Sequence, residues 1–150
     1  MLNKIIKKYA GRDIHFNPDA TDTEITGSEV LIQKAFSNLI DNAVKYSPEG
    51  GVVDIGLRQE DDKYKITIEN RGPGLSEKEV DKIWEPFYRG ENSRVNNIDG
   101  KGLGLVIVKK AIKLSSGDVQ VKSSTDGPTV FTVTLPRKTN VSDYAISLIE

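Results

Sequence analysis

The chain predicts a two-layer α+β sandwich, and three observations carry that expectation. Apolar residues recur at helical spacing in four stretches, they alternate at strand spacing in four others, and the strands fall into neighbouring hairpins rather than strict strand–helix–strand repeats. The length of 150 residues suits one domain. Leu, Ile, Val and Phe make up 42 of these residues, or 28%, above the roughly 20% below which a chain rarely buries enough apolar surface to offset its ordering entropy.

Leu2, Ile5, Ile6 and Tyr9 share one face of a short helix, with Lys4, Lys7 and Lys8 opposite and Gly11 as its stop. Asp13 to Phe16 reads as a short strand, followed by a polar loop through Asp22. Thr26 and Glu29 have capping-box spacing, and Ile32, Ala35, Phe36, Leu39, Ile40 and Ala43 form the stripe of a long helix that reaches Tyr46. Ser47-Pro48-Glu49-Gly50-Gly51 ends it. Val53, Ile55 and Leu57, then Tyr64, Ile66 and Ile68, alternate as two strands joined by a turn over Glu60–Lys63. Ser76 and Glu79 box a short helix carrying Val80, Ile83 and Trp84. A further helix runs from about Leu103 to Leu114 and stops at Gly117. Val119 and Val121 pair with Phe131, Val133 and Leu135 across Asp126-Gly127-Pro128. Residues 138–150 form a C-terminal tail with apolar Tyr144, Ile146, Leu148 and Ile149, expected to pack on something. About eighteen residues between Trp84 and Leu103 lack periodicity. A stretch longer than ~12–15 residues with no secondary structure is either functional or disordered, and a lid is the sharper reading.

Composition narrows the chemistry. With 21 basic and 22 acidic residues the charge nearly cancels, which argues against a nucleic-acid or membrane-surface protein. The absence of cysteine and the single histidine, His15, exclude disulfides, thiolate nucleophiles, Cys-ligated zinc and clustered His sites. The longest apolar stretch, Leu105 to Val108, is four residues against the ~20 of a spanning helix. No apolar leader stands at the N-terminus, so the expected setting is cytoplasmic, without direct membrane contact. A membrane-anchored parent protein is compatible with this.

Three constellations carry the remaining possibilities. At about 100° per residue, Asn38, Asn42 and Lys45 project from one helix face, opposite the apolar stripe. That face is either simply solvated or a set of neutral oxygen ligands for Mg²⁺ beside a cation for phosphate. Asn is a poor mid-helix residue, which a merely solvated face does not require. Asn70-Arg71-Gly72-Pro73-Gly74 follows a strand directly: a loop, or a place where backbone approaches a flat ligand while Asn70 bonds its edge. Gly100-Lys101-Gly102-Leu103-Gly104-Leu105 opens a helix, where free N–H groups and the dipole favour an anion. It is neither a Walker A loop nor a Rossmann fingerprint.

Taken in order, Asn38–Ser47, Asn70-x-Gly72-x-Gly74, Glu85-Pro86-Phe87-Tyr88-Arg89 and Gly100-x-Gly102-Leu103-Gly104-Leu105 closely resemble the N, G1, F and G2 boxes of the catalytic ATP-binding domain of sensor histidine kinases. The resemblance spans roughly residues 1–137. It implies a Bergerat (GHKL) fold, a mixed, mostly antiparallel sheet backed by helices, with ATP held between the first long helix and a lid at about 85–102. Residues 1–12 would be a linker helix from a separate dimerisation domain, and 13–137 the catalytic domain. The resemblance further implies that Asn38 and Asn42 hold Mg²⁺ and the phosphates and that Lys45 contacts phosphate. Tyr46 flanks the adenine, Gly72, Gly74 and Leu75 line the base, and Phe87 anchors the lid. Arg89 and Arg94 reach the phosphates, Gly100, Gly102 and Gly104 hinge the lid and present N–H groups to the phosphates, and Lys101, Leu103 and Leu105 complete the nucleotide-binding set. The catalytic set so implied is Asn38, Asn42, Lys45, Arg89 and Arg94.

Two positions depart from the family. Asn70 stands where the family usually has Asp, so the amide accepts but also donates and carries no charge. Lys101 stands where some relatives have a polar ligand, and as a charged ammonium it is expected on phosphate rather than on Mg²⁺. Asn38 replaces the water-activating Glu of gyrase-type relatives and cannot act as a base, which fits transfer to another group better than fast hydrolysis. His15 lies in a strand and lacks the helical setting of a phosphoacceptor. The expected ligands and partners are therefore ATP or ADP, Mg²⁺, a histidine-containing dimerisation domain and, indirectly, a response regulator, with the domain itself monomeric. A nucleotide-sensing module without transfer and an anti-sigma-factor-type serine kinase are the alternatives.

Overall fold

The computed structural model describes residues 1–19, 24–25, 27–90 and 103–137. Along the chain, α1 (Leu2–Ile6) and a 3₁₀ turn (Lys7–Tyr9) precede β1 (Asp13–Asp19), α2 (Glu29–Tyr46), β2 (Val52–Glu60) and β3 (Lys63–Asn70). Then come α3 (Glu77–Lys82), α4 (Gly104–Leu114), β4 (Asp118–Lys122) and β5 (Thr129–Pro136). The five strands form one sheet in the order β1-β2-β3-β5-β4. Three of the four neighbouring pairs are antiparallel and two of these, β2–β3 and β4–β5, are hairpins as the alternation predicts, but β1 runs parallel to β2. Parallel neighbours cannot be joined by a tight turn, and α2 makes the long return between them.

The core lies between one sheet face and the helices. Phe36, Leu39 and Ile40 of α2, Val108 and Ile112 of α4, and Ile55, Ile68, Phe131 and Val133 of the sheet are all buried. Burial of each such side chain contributes about 1.5–3 kcal/mol. Leu2 and Ile5 of α1 belong to the same core. Ile6 and Tyr9 pack against it as well, so the segment before β1 shares the core of the described strands and helices.

Local signals hold with adjustments. The α3 capping box forms as expected, with Glu79 N–H donating to Ser76 Oγ and Ser76 N–H to Glu79 Oε2. The cap of α2 is Ser28, whose Oγ accepts from Leu31 N–H at 3.4 Å; Thr26 lies outside the described residues. Gly117 is not the left-handed residue after α4; Ser116 is, at φ 60°. Gly117 is instead demanded by space, because a Cβ there would strike the Thr134 carbonyl oxygen. No described helix is long and apolar enough to cross a membrane. His15 lies on exposed β1, its Nε2 2.8 Å from Asp13 Oδ1 and its Nδ1 3.6 Å from Asp54 Oδ1.

Candidate functional site

The inward side chains of β3 are Tyr64, Ile66, Ile68 and Asn70, and those of β5 are Thr129, Phe131, Val133 and Leu135. Because Asn70 pairs with Thr129 in the sheet register, two apolar rows end side by side in a buried polar pair. Asn70 is only 4% exposed, yet its amide nitrogen has no hydrogen-bond partner among the described residues. Ser47 Oγ is the other buried side-chain atom without a partner among the described residues. Both belong to the stretches where α2 and β3 end. Native proteins pair nearly all such groups, so a concentration here marks a place built for a polar partner.

Packing explains the glycines of the loop after β3. A Cβ at Gly72 would collide with the Tyr46 carbonyl oxygen, and one at Gly74 with that of Ser124. Both glycines are therefore required by the protein's own backbone, whatever else they admit. Leu75 N–H donates to Ser123 Oγ at 2.8 Å, and Ser123 Oγ lies 2.7 Å from Thr129 Oγ1. This chain of contacts ties the loop to the Asn70 end of the sheet.

The face of α2 carrying Asn38, Asn42 and Lys45 meets the start of α4. Asn38 Nδ2 donates to the Gly104 carbonyl at 3.3 Å, across 66 residues of sequence, and keeps Oδ1 as an acceptor. The N-cap of α4 is Leu103, which gives no side-chain cap, and its first turn holds no acidic residue. Among the described residues, no capping side chain and no first-turn carboxylate offsets the positive end of the α4 dipole. Leu105 packs against the core. Asn42 is half-buried one turn beyond Asn38, and Lys45 Nζ makes an ion pair with Asp41 Oδ2 at 2.9 Å.

Several contributors escape sequence reasoning. Tyr9 OH donates to Asp41 Oδ1 at 3.0 Å. Arg12 Nη2 donates to the carbonyls of Val44 at 2.9 Å and Ser47 at 3.4 Å, placing a cation on the last carbonyls of α2. Tyr9 reads as one more member of an apolar stripe, and Arg12 follows a helix stop without any local partner. In the stretch after α3, Phe87 is 72% exposed with φ 66°, a backbone region uncommon for a bulky residue. The ring that ties this stretch to the body is Trp84, edge-on to Phe131 at 6.0 Å and with Lys109 Nζ 5.1 Å above it. Trp84 is among the residues packed on the core and Phe87 is not. Tyr88 packs against the core and Arg89 is half-buried. Arg94, Gly100, Lys101 and Gly102, with most of the expected lid, lie outside the described residues, as does the 138–150 tail.

A family described as histidine kinase-, DNA gyrase B-, and HSP90-like ATPase matches residues 27–139. Among curated relatives, the heme sensor protein HssS of Staphylococcus saprophyticus is 35% identical over 144 residues, covering 91% of this chain and 30% of that protein. The sensor histidine kinase WalK of Bacillus subtilis is 37% identical over 114 residues, covering 75% and 19% respectively. The chain thus spans less than a third of these relatives' length. Among solved structures, the mycobacterial sensor histidine kinase MprB superposes with a TM-score of 0.75 at 28% identity, covering 93% of this chain and 91% of that one. The catalytic domain of histidine kinase ThkA superposes with a TM-score of 0.72 at 26% identity, covering 91% and 84%. The mixed sheet backed by helices is the fold of these catalytic domains.

Burial, followed by the hydrogen bond to Asp41 and its charge, raises the Tyr9 phenol from 10.0 to about 12. The folded state therefore favours the protonated phenol, and this stabilisation is complete below pH 10 and lost as pH rises to about 12. Tyr9→Phe should be less stable than wild type at neutral pH, and the gap should narrow over that window in denaturant titrations. A gap that stays constant would contradict the assignment.

Proposed function

The chain belongs to the histidine kinase-, DNA gyrase B- and HSP90-like ATPase family, and on that premise we propose that it is the ATP-binding catalytic domain of a sensor histidine kinase. In this reading it binds Mg-ATP and presents the γ-phosphate to a histidine on a separate dimerisation domain, for onward signalling to a response regulator. The observation that carries the reading is the Asn38–Gly104 contact. It joins a helix face of neutral oxygen donors and a lysine to the N-terminus of α4, whose first turn carries no acidic residue, and such a combination suits a metal-bound polyphosphate.

The residues present fit the ligands. Asn70, with a buried amide nitrogen lacking a partner, has a donor to offer a ring nitrogen of a base and an oxygen that can accept from an exocyclic amino group. Tyr46 and the loop of Gly72 and Gly74 border the same end of the sheet. Asn38 and Asn42 are the candidate Mg²⁺ ligands, the metal serving to draw charge from the phosphates. Lys45 and the α4 N–H groups, with Arg89, Arg94 and Lys101 from the lid side, would orient the γ-phosphate and neutralise it. The domain's work is positioning and electrostatics. It contains no general base at Asn38, and the acceptor comes from elsewhere.

Calorimetric titration of wild type with an ATP analogue and Mg²⁺ should show binding that Asn42→Ala weakens by at least about tenfold, the scale of one lost charge-assisted contact. Equal affinity in both proteins would sink the site. Mixed with the dimerisation domain of its parent kinase and labelled ATP, the chain should transfer phosphate to His on that domain. Nucleotide binding without transfer would instead mark a nucleotide-sensing module. Asn70→Asp should tighten ATP and raise its preference over GTP, because a carboxylate accepts more strongly from the amino group. No change in either quantity would show that the base edge is read elsewhere.

A further inference from the structure

The nucleotide reading gives work to Lys45 but none to the carboxylate that holds it. Asp41 lies one turn earlier on α2 with its two oxygens divided between partners: Oδ1 accepts from Tyr9 OH at 3.0 Å, and Oδ2 lies 2.9 Å from Lys45 Nζ. The Lys45 and Asp41 side chains are 40% and 42% exposed, so neither needs the other to survive burial. An anion beside a phosphate-binding lysine carries a cost, since it repels the incoming polyphosphate and competes for the same ammonium.

Tyr9 reaches Asp41 from the segment before β1, and that segment grips α2 again three residues later through Arg12 on the carbonyls of Val44 and Ser47. The two grips bracket Lys45. A planar carboxylate held by a phenol at one oxygen has its other oxygen fixed in direction. Donation by the phenol also draws charge from the carboxylate and loosens its hold on the ammonium.

We propose that Asp41 is a positioning residue that restrains Lys45 and attenuates its grip on nucleotide phosphate, and that Tyr9, by bonding Asp41, sets the strength of that restraint. The proposal rests on the reading that Lys45 meets phosphate. It makes the phosphate end of the site sensitive to the placement of residues 9–12: with Tyr9 docked, Asp41 yields Lys45 more readily, and without it Asp41 retains Lys45. By linkage, phosphate binding must favour the docked segment to the same degree.

The test compares ADP with adenosine, which lacks phosphate, by titration of wild type, Asp41→Asn, Tyr9→Phe and the double variant, with melting curves to show that each is folded. Asp41→Asn should tighten ADP about threefold and Tyr9→Phe should weaken it about threefold, the modest scale of half-exposed charges. Adenosine affinity should be unchanged in all, and Tyr9→Phe should have no further effect in the Asp41→Asn background. Asp41→Ala should share the sign of Asp41→Asn. If both single variants weaken ADP, or adenosine affinity falls equally, the network is only scaffolding and the proposal is overturned. Lys45→Met separates this from the parent reading. A wild type that prefers ADP over adenosine and loses that preference in Lys45→Met supports phosphate contact, so that a failure of the Asp41 and Tyr9 signs then falls on this proposal alone. An unaltered preference in Lys45→Met overturns the placing of Lys45 on phosphate, and the proposal with it.

Discussion

Helix α2 must satisfy two environments at once, and the rest of the molecule depends on that constraint. Its apolar side, from Ile32 through Val44, is buried against the sheet and the other helices. Its opposite side has to stay polar and is therefore free to carry Asn38, Asn42 and Lys45. Because the buried side leaves little rotational freedom, the direction of these polar groups is set by core packing rather than by loops. A site on a locked helix keeps its geometry without needing the ligand to organise it.

The end of the sheet completes the same arrangement. Alternation along β3 and β5 carries Asn70 and Thr129 onto the core face, where both are buried side by side. The glycines at 72 and 74 then let the loop press against the backbone of Tyr46 and Ser124. Close protein packing and access for a flat ligand are not rival explanations for these glycines. The first holds the loop where the second would need it.

The N-terminal segment has more to do than lead into the domain. Leu2 and Ile5 contribute to the core, Tyr9 bonds the middle of the polar face of α2, and Arg12 closes its C-terminal end. These contacts give the segment before β1 a mechanical connection to the residues proposed to hold phosphate.

Period and phase were legible without coordinates. The helical stripe of α2, the strand alternation, the α3 capping box and the shared face of Asn38, Asn42 and Lys45 are set by neighbours within a few residues, so a local window contains them. The order of the four motif stretches made the family readable as well. Tertiary structure alone decided the parallel pairing of β1 with β2, the bond from Asn38 to Gly104, the division of Asp41 between Tyr9 and Lys45, and the edge-on meeting of Trp84 with Phe131. Each joins residues that no local periodicity relates, and their meeting depends on how whole layers pack. The sequence thus determined which faces each element presents, while packing of the layers determined which of those faces meet.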